Sequence, residues 1–508
     1  MSDNGRRFGS RLVRSAGLLA SASFLSLLGA GQAQAACTPS NSDPLNNITT
    51  DFNYIDCNGV NMGETIVVNA NAVQLQISNA GDTLDNSSIT VNGDSNVTVI
   101  QNGGSSTGLT YTAQGQGNQF IIDGATVTDL TYNVFGSGNQ LYIDNSTVPG
   151  TPGSIVLAAN PGEFNSVIVL GTLQATGNNG GAFLLNGGTG DQTFNILGTL
   201  TVQPNGLAIS AGDGNDDINI GGSAVVNGGS GTIIFDGGNG TDRLSIAGSG
   251  SSNYTTVAIE QLALNPGAGN THVLGGTGSY SEVFLGAGTV QVADAAALGL
   301  GNSAVTIAGN GKLQLVPTAP MTFGHSLLGN GTIEQTGQTI TYNGTGSTFT
   351  GNFLLSGGLA VINSGSQFGT ATISNNSAIE ISNITLANVI TGSGSVTKTG
   401  AGTATLSGVN SYTDGTLVSG GTLRLTNGQA AGTASVAVVT GATLELDFAA
   451  DETFANDITG SGGVVKRGTG VATLTGVNTY SGGTDIQEGG IRVDDFVRLG
   501  TGPVTTAS

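Results

Sequence analysis

Residues 392 to 425 read GSGSVTKTGAGTATLSGVNSYTDGTLVSGGTLRL, and residues 460 to 493 read GSGGVVKRGTGVATLTGVNTYSGGTDIQEGGIRV. The copies align without a gap when Gly392 is set on Gly460, which brings Lys398 onto Lys466, Leu406 onto Leu474, Asn410 onto Asn478, Tyr412 onto Tyr480 and Leu423 onto Ile491. Such self-similarity confines the chain to a stack of like units, because a unit this short cannot bury its apolar side chains alone.

The units are made of strands. Apolar or β-branched residues alternate with small polar ones in short runs, as in Thr403-Ala404-Thr405-Leu406 and Thr422-Leu423-Arg424-Leu425, and Gly or Asn closes each run. Pairs such as Gly420-Gly421 and Gly489-Gly490 give the positive φ that a sharp turn needs. Helical patterning is confined to two short runs, Ala293 to Leu298 and Phe448 to Ala455. Gly makes up 86 of 508 residues and charged residues only 9%. Disorder would call for high charge and few β-branched residues, whereas Val, Ile, Leu and Thr recur in every segment. No linker or charge block divides the chain after its N-terminus, so one long solenoid is expected in place of several globular domains.

Arg6, Arg7, Arg11 and Arg14 precede the apolar run Ala16 to Ala30 and the sequence Ala33-Gln34-Ala35, the pattern of a cleaved signal peptide over residues 1–35. Removing it leaves 8 basic against 32 acidic side chains, a charge of −24. No Lys or Arg occurs between Arg14 and Arg243, which excludes nucleic acid as a partner. An acidic surface suits a soluble, exported protein. The only cysteines, Cys37 and Cys57, are expected to form a disulfide in an oxidising compartment and to staple an N-terminal cap over residues 36–60.

The pattern G-x-G-x-x-x-K-x-G-x-G-x-x-x-L-x-G-x-N-x-Y-x-x-G-T, followed by a Gly-rich turn and T-L-x-L, resembles the passenger-associated transport repeat of autotransporters, also called the autotransporter-associated β-strand repeat. Both copies carry it, with Asp414 in place of a Gly in the first and Ile491-Arg492-Val493 closing the second. The resemblance implies an all-β, right-handed parallel β-helix passenger, exported by its signal peptide and carried across the outer membrane by a C-terminal β-barrel translocator. The expected divisions are a Gly/Asn-rich β-helix over residues 61–290 and a repeat-bearing β-helix over residues 291–508. The period from Gly392 to Gly460 reads as three coils of about 22 residues each, giving about 20 coils in all. Strands of a membrane barrel are not found before Ser508, and the chain is expected to be a fragment that stops short of its translocator.

Three segments follow the calcium nonapeptide G-G-x-G-x-D-x-(aliphatic)-x to different degrees. Gly237 to Ser245 fits; Ala211 to Asn219 lacks the first Gly; Gly187 to Asn195 has Gln192 for the Asp and Phe194 for the aliphatic residue. Successive segments stand one coil apart, so stacked turns could bring Asp216 near Asp242. Asp213, Asp216 and Asp242 are therefore the calcium candidates, weighed against Gly-rich turns that carry a solvated Asp for conformational reasons. No other cofactor is expected.

A catalytic constellation is not expected. The two histidines, His272 and His325, are remote in sequence from the Gly93-Asp94-Ser95 turn, and the pairs Asp216-Asp217 and Asp494-Asp495 are neighbours whose side chains leave a strand on opposite faces. The sequence thus points to a surface-displayed or secreted adhesive or structural rod with repeats that assist export, binding a host-surface or cell-cell ligand. The alternatives are a β-helix enzyme on polysaccharide or ester substrates and a calcium-binding structural protein.

Overall fold

In the computed structural model the chain winds as a parallel β-solenoid of about 18 turns. The structure describes residues 36–507, apart from short stretches that include 40–43, 78–80, 151–153, 159–163, 178–182, 204–206, 222–224 and 228–231. The expected signal peptide, residues 1–35, lies outside the described residues.

Alternation along each strand turns every second side chain into the rod, as in Thr110–Ala113 and Thr403–Leu406. In-register stacking then builds columns, one of which runs Ile66, Ile89, Tyr111, Tyr132. Tyr111 and Tyr132 stack with ring centroids 5.3 Å apart. One sheet stacks 16 strands, from Thr65–Val68 to Ile390–Thr391, and another stacks 14, ending at Ser326–Gly329. At the β-strand spacing, about 18 turns make a rod about 85 Å long.

The cross-section changes along the rod. Up to Val225–Asn227 a third sheet of 8 strands completes it. That sheet then ends, and from Met321–Phe323 a different 8-stranded sheet begins. Coil length varies with the corners, from the short coil that stacks Lys398 on Ile381 to the long one that stacks Leu184 on Ser154.

Among the described pairings, Ala36–Pro39 against Tyr54–Asn58 is the only antiparallel one; it sets Cys37 opposite Cys57, which are joined by a disulfide. This reversed strand covers the edge of the first coil, which would otherwise expose unpaired amides and carbonyls.

Two expectations need correcting. The run Ala293 to Leu298 contains a 3-10 helix at Ala295–Leu298, but Phe448 to Ala455 holds the strand Glu452–Phe454; a second 3-10 helix lies at Phe496–Leu499. The period of the repeat is also not three coils. Lys398 stacks on Val418, Val438 and Gly460 in turn, so three coils from the first lysine arrive at Gly460, short of the second. Lys466 falls instead in the next strand, Gly463–Arg467, which stacks on Thr443–Asp447, Thr422–Leu425 and Thr403–Leu406. That is the next face of the rod. Successive copies are thus related by three turns and one further face, because tight corners around the motif make each coil shorter than the even division of the period requires.

Candidate functional site

Each copy of the motif ties three coils together. Lys398 ends the strand Ser395–Lys398 with its side chain directed inward and fully buried. Its ammonium donates to Thr399 O at 2.7 Å, Gly400 O at 2.9 Å and Gly420 O at 3.0 Å, the last on the following coil. Lys466 repeats this with Arg467 O, Gly468 O at 2.7 Å and Glu488 O at 3.4 Å. An ammonium has three N–H donors, and here each meets a carbonyl. Gly400 and Gly468, at φ 71° and 72°, shape the turn that presents two of the three. Burial lowers both lysines from their ordinary value; at Lys466 the carboxylates of Asp447 and Glu488 oppose it.

The asparagine of the motif reaches both ways. Asn410 Oδ1 accepts from Ile390 N at 2.8 Å on the preceding coil, and its Nδ2 donates to Ala430 O at 2.6 Å on the next. Asn478 does the same between Ile458 N and Arg498 O, at 2.8 and 2.6 Å. Tyr412 and Tyr480 are fully buried, and their hydroxyls meet Thr416 and Thr484 at 2.6 Å. Those threonines donate onward to Ala431 O and Leu499 O. The role of Thr416 and Thr484 was not read from sequence, although the repeated Tyr-x-x-x-Thr spacing carried the signal.

A different device runs along one corner of the N-terminal half. Val73 N donates to Asn96 Oδ1, Asn96 N to Asn118 Oδ1, Asn118 N to Asn139 Oδ1 and Asn139 N to Asn165 Oδ1, at 2.7 to 2.9 Å. The column continues in acids: Gln192 N donates to Asp216 Oδ1 at 2.6 Å, Asp216 N to Asp242 Oδ1 at 2.8 Å and Asp242 N to Glu260 Oε2 at 2.8 Å. The one-coil spacing read from the nonapeptides therefore stacks Gln192, Asp216 and Asp242 in register.

Asp216 and Asp242 are buried, and Asp213 is exposed with its Oδ1 accepting from Asn239 Nδ2 at 2.7 Å. Burial pushes Asp216 up to about 7; the Gln192 amide opposes this, and Asp242, Asp191 and Asp217 reinforce it. Asp242 is pushed up to about 6 by burial, against the Asp216 amide and with Glu260, Asp236 and Asp191. Among the described residues, no three His, Cys, Asp or Glu side chains converge as a metal centre.

The residues weighed for catalysis are dispersed. His272 lies inside the rod, 2.8 Å from the buried Ser252 hydroxyl, and His325 is buried against Ala295 O at 3.1 Å. Ser95 stands exposed in its turn, on the coil of the Asn96 rung. Asp217 faces solvent while Asp216 faces inward; Asp494 pairs with Arg498, and Asp495 caps the 3-10 helix at Phe496–Leu499.

Comparison with known proteins agrees with the motif. The passenger-associated-transport-repeat family model matches residues 396–425 and 464–493. Over 177 residues, 35% of this chain, the sequence is 30% identical to the adhesin BmaC autotransporter of Brucella suis biovar 1 (strain 1330). The chain spans about 5% of the length of that relative. No solved structure matches. The chain thus carries passenger-associated transport repeats on a parallel β-solenoid and is distantly related to an autotransporter adhesin.

Proposed function

We propose that this chain is a stretch of an autotransporter passenger, displayed at or released from the cell surface, that acts as a non-enzymatic adhesive rod, with repeats that assist its own export. The observation that carries this reading is the forward reach of both motif copies. Lys398, Asn410 and Thr416 are satisfied only when the next coil supplies Gly420, Ala430 and Ala431. A buried ammonium or carboxamide without its partner is costly, by about 1–3 kcal/mol or more for a charged group. Each motif therefore makes an added coil hard to withdraw. On a chain threading through a translocator barrel, such coils oppose backsliding.

The adhesive part rests on kinship with a protein named as an adhesin and on a long solenoid whose repeated faces suit multivalent contact. The buried positions of His272 and His325 offer no accessible base to support the enzymatic alternative.

The test uses the complete gene, expressed in a Gram-negative host with and without residues 392–493. Normal synthesis with lost surface exposure, read by added protease or antibody, is the result expected for an export role. Normal display with lost attachment would assign these repeats to adhesion instead. Unchanged display and unchanged attachment would contradict both roles.

A further inference from the structure

Three consecutive turns on the ladder corner differ from those before them. At 93–96, 115–118 and 136–139 the turn runs from Gly to Asn in four residues; at 187–192, 211–216 and 237–242 it takes six, from Gly or Ala to Gln or Asp. The wider turns stack in matched conformation: Gly212 and Gly238 have φ 106° and 92°, and Gly214 and Gly240 have 140° and 146°. The side chain that closes the turn changes at the same place, from Asn to Gln192, Asp216 and Asp242.

This change leaves oxygens without partners. In a four-residue turn, Asn139 Nδ2 donates to Gly115 O and Gly136 O at 3.0 and 3.1 Å. Asp216 and Asp242 carry an oxygen in place of that amide nitrogen. Their Oδ1 atoms accept from the preceding coil, but both Oδ2 atoms are unpartnered, as is Gln192 Oε1, although the three residues are only 0 to 1% exposed. Asp242 Oδ2 points into its own turn, since a Cβ on Gly237 would lie 2.5 Å from it. In the first wide turn Gln192 Nε2 donates to Gly190 O at 2.9 Å; the turns that contain Gly214 and Gly240 are closed by carboxylates, which have no N–H to give. Asp191, Asp213, Asp217, Asp236 and Glu260 add negative charge, and Arg243 is the single Lys or Arg from Gly187 to Glu260.

We propose that the stacked turns 211–216 and 237–242 bind a hard divalent cation of the size of calcium, held between rungs by Asp216 Oδ2 and Asp242 Oδ2, with turn carbonyls completing an all-oxygen shell. Rungs about 4.8 Å apart put an ion midway at about 2.4 Å from an oxygen on each, within the calcium range and too long for magnesium. Calcium also tolerates an irregular shell of carboxylate, amide and carbonyl oxygens, whereas magnesium demands a near-octahedral one. The ion supplies the positive charge that the amide hydrogens of Asn139 supply in its tight turn, and it pins the coils where the third sheet ends.

The test is thermal unfolding of the whole chain at pH 8 after EDTA, with calcium or magnesium chloride added back, and calcium titration by calorimetry. Calcium should raise the melting temperature saturably and magnesium should not. Joint Asp216→Asn and Asp242→Asn, which restores an amide rung, should lower calcium affinity ten-fold or more while the EDTA baseline holds or rises. Asp94→Asn, in a four-residue turn, should leave calcium binding intact. If the double variant does not fold, Asp242→Asn alone should lower the calorimetric affinity. No calcium effect on the parent, or an undiminished effect in the variants, overturns the proposal. Stabilisation in EDTA on acidification to pH 5, without any response to calcium, also overturns it and assigns the charge to a proton.

Discussion

The ladder corner of the N-terminal half and the motif clamps of the C-terminal half both tie coil to coil with buried side chains, but the ladder reaches back and the clamps reach both ways. In the ladder, each side-chain oxygen from Asn96 to Asn165 accepts the amide of the coil before it, so the tie points toward the N-terminus. In the clamps, Lys398 and Asn410 also reach forward to Gly420 and Ala430, so a coil carries donors that await the next one. The ladder uses one residue type at one corner, whereas the clamps use Lys, Asn and Tyr-Thr and move to a new face with each copy. A uniform corner lengthens a rod by simple repetition. A rotating clamp spreads the tie over more than one face.

Breaking a clamp should cost most. Lys398→Met fills the space but leaves the carbonyls of Thr399, Gly400 and Gly420 without their donor; at about 1–3 kcal/mol for each buried unsatisfied group, a loss of about 3 kcal/mol is expected, read by chemical unfolding of the C-terminal coils. Lys466→Met should cost less, because its forward contact to Glu488 O is 3.4 Å long. Breaking the ladder comes next. Asn118→Ala removes the acceptor of the buried Asn96 amide and should cost about 1–3 kcal/mol, while Asn118→Asp should cost more at pH 8 than at pH 5 and show no calcium rescue, since its turn has four residues. Tyr412→Phe sharpens the comparison, removing one hydroxyl and keeping the ring, for about 0.5–1.5 kcal/mol.

The smallest effect lies on the outside of the C-terminal half. Burial would raise Glu334, but hydrogen bonds from Lys312, Ser356 and Gln314 outweigh it and hold the carboxyl below its ordinary value. A depressed acid stabilises the fold above its unfolded pKa, and the contribution is lost as pH falls through the folded one. Glu334→Gln should therefore cost under about 1 kcal/mol at pH 7, with the difference from the parent disappearing as pH falls through the depressed folded-state pKa, as read by acid titration of the melting temperature.

Much of this was legible in the sequence because period-two alternation and gapless self-similarity report local backbone physics directly. The alternation read at Thr403-Ala404-Thr405-Leu406 and Thr422-Leu423-Arg424-Leu425 is the observed one, with Ala404, Leu406, Leu423 and Leu425 buried. The one-coil spacing of Gln192, Asp216 and Asp242 also held. What failed was the division of the repeat period into whole coils. Spacing between copies cannot separate three long coils from three shorter coils and one extra strand, because only the corners decide, and corner length leaves the alternation of the strands unchanged. The same blindness hid the forward reach of Lys398: a lysine in a polar strand reads as a solvated end, and its burial follows from carbonyls that include one supplied by the next coil, at Gly420.

A motif copy stabilises the coil that follows it. Hydrogen exchange measured by mass spectrometry on the parent and on Lys398→Met tests this most directly. Faster exchange is predicted both in Ser395–Lys398 and in the following coil, at Thr416–Val418 and Thr422–Leu425, with the ladder region from Asn96 to Asn165 unchanged. Faster exchange confined to Ser395–Lys398, with the following coil as protected as in the parent, would contradict it.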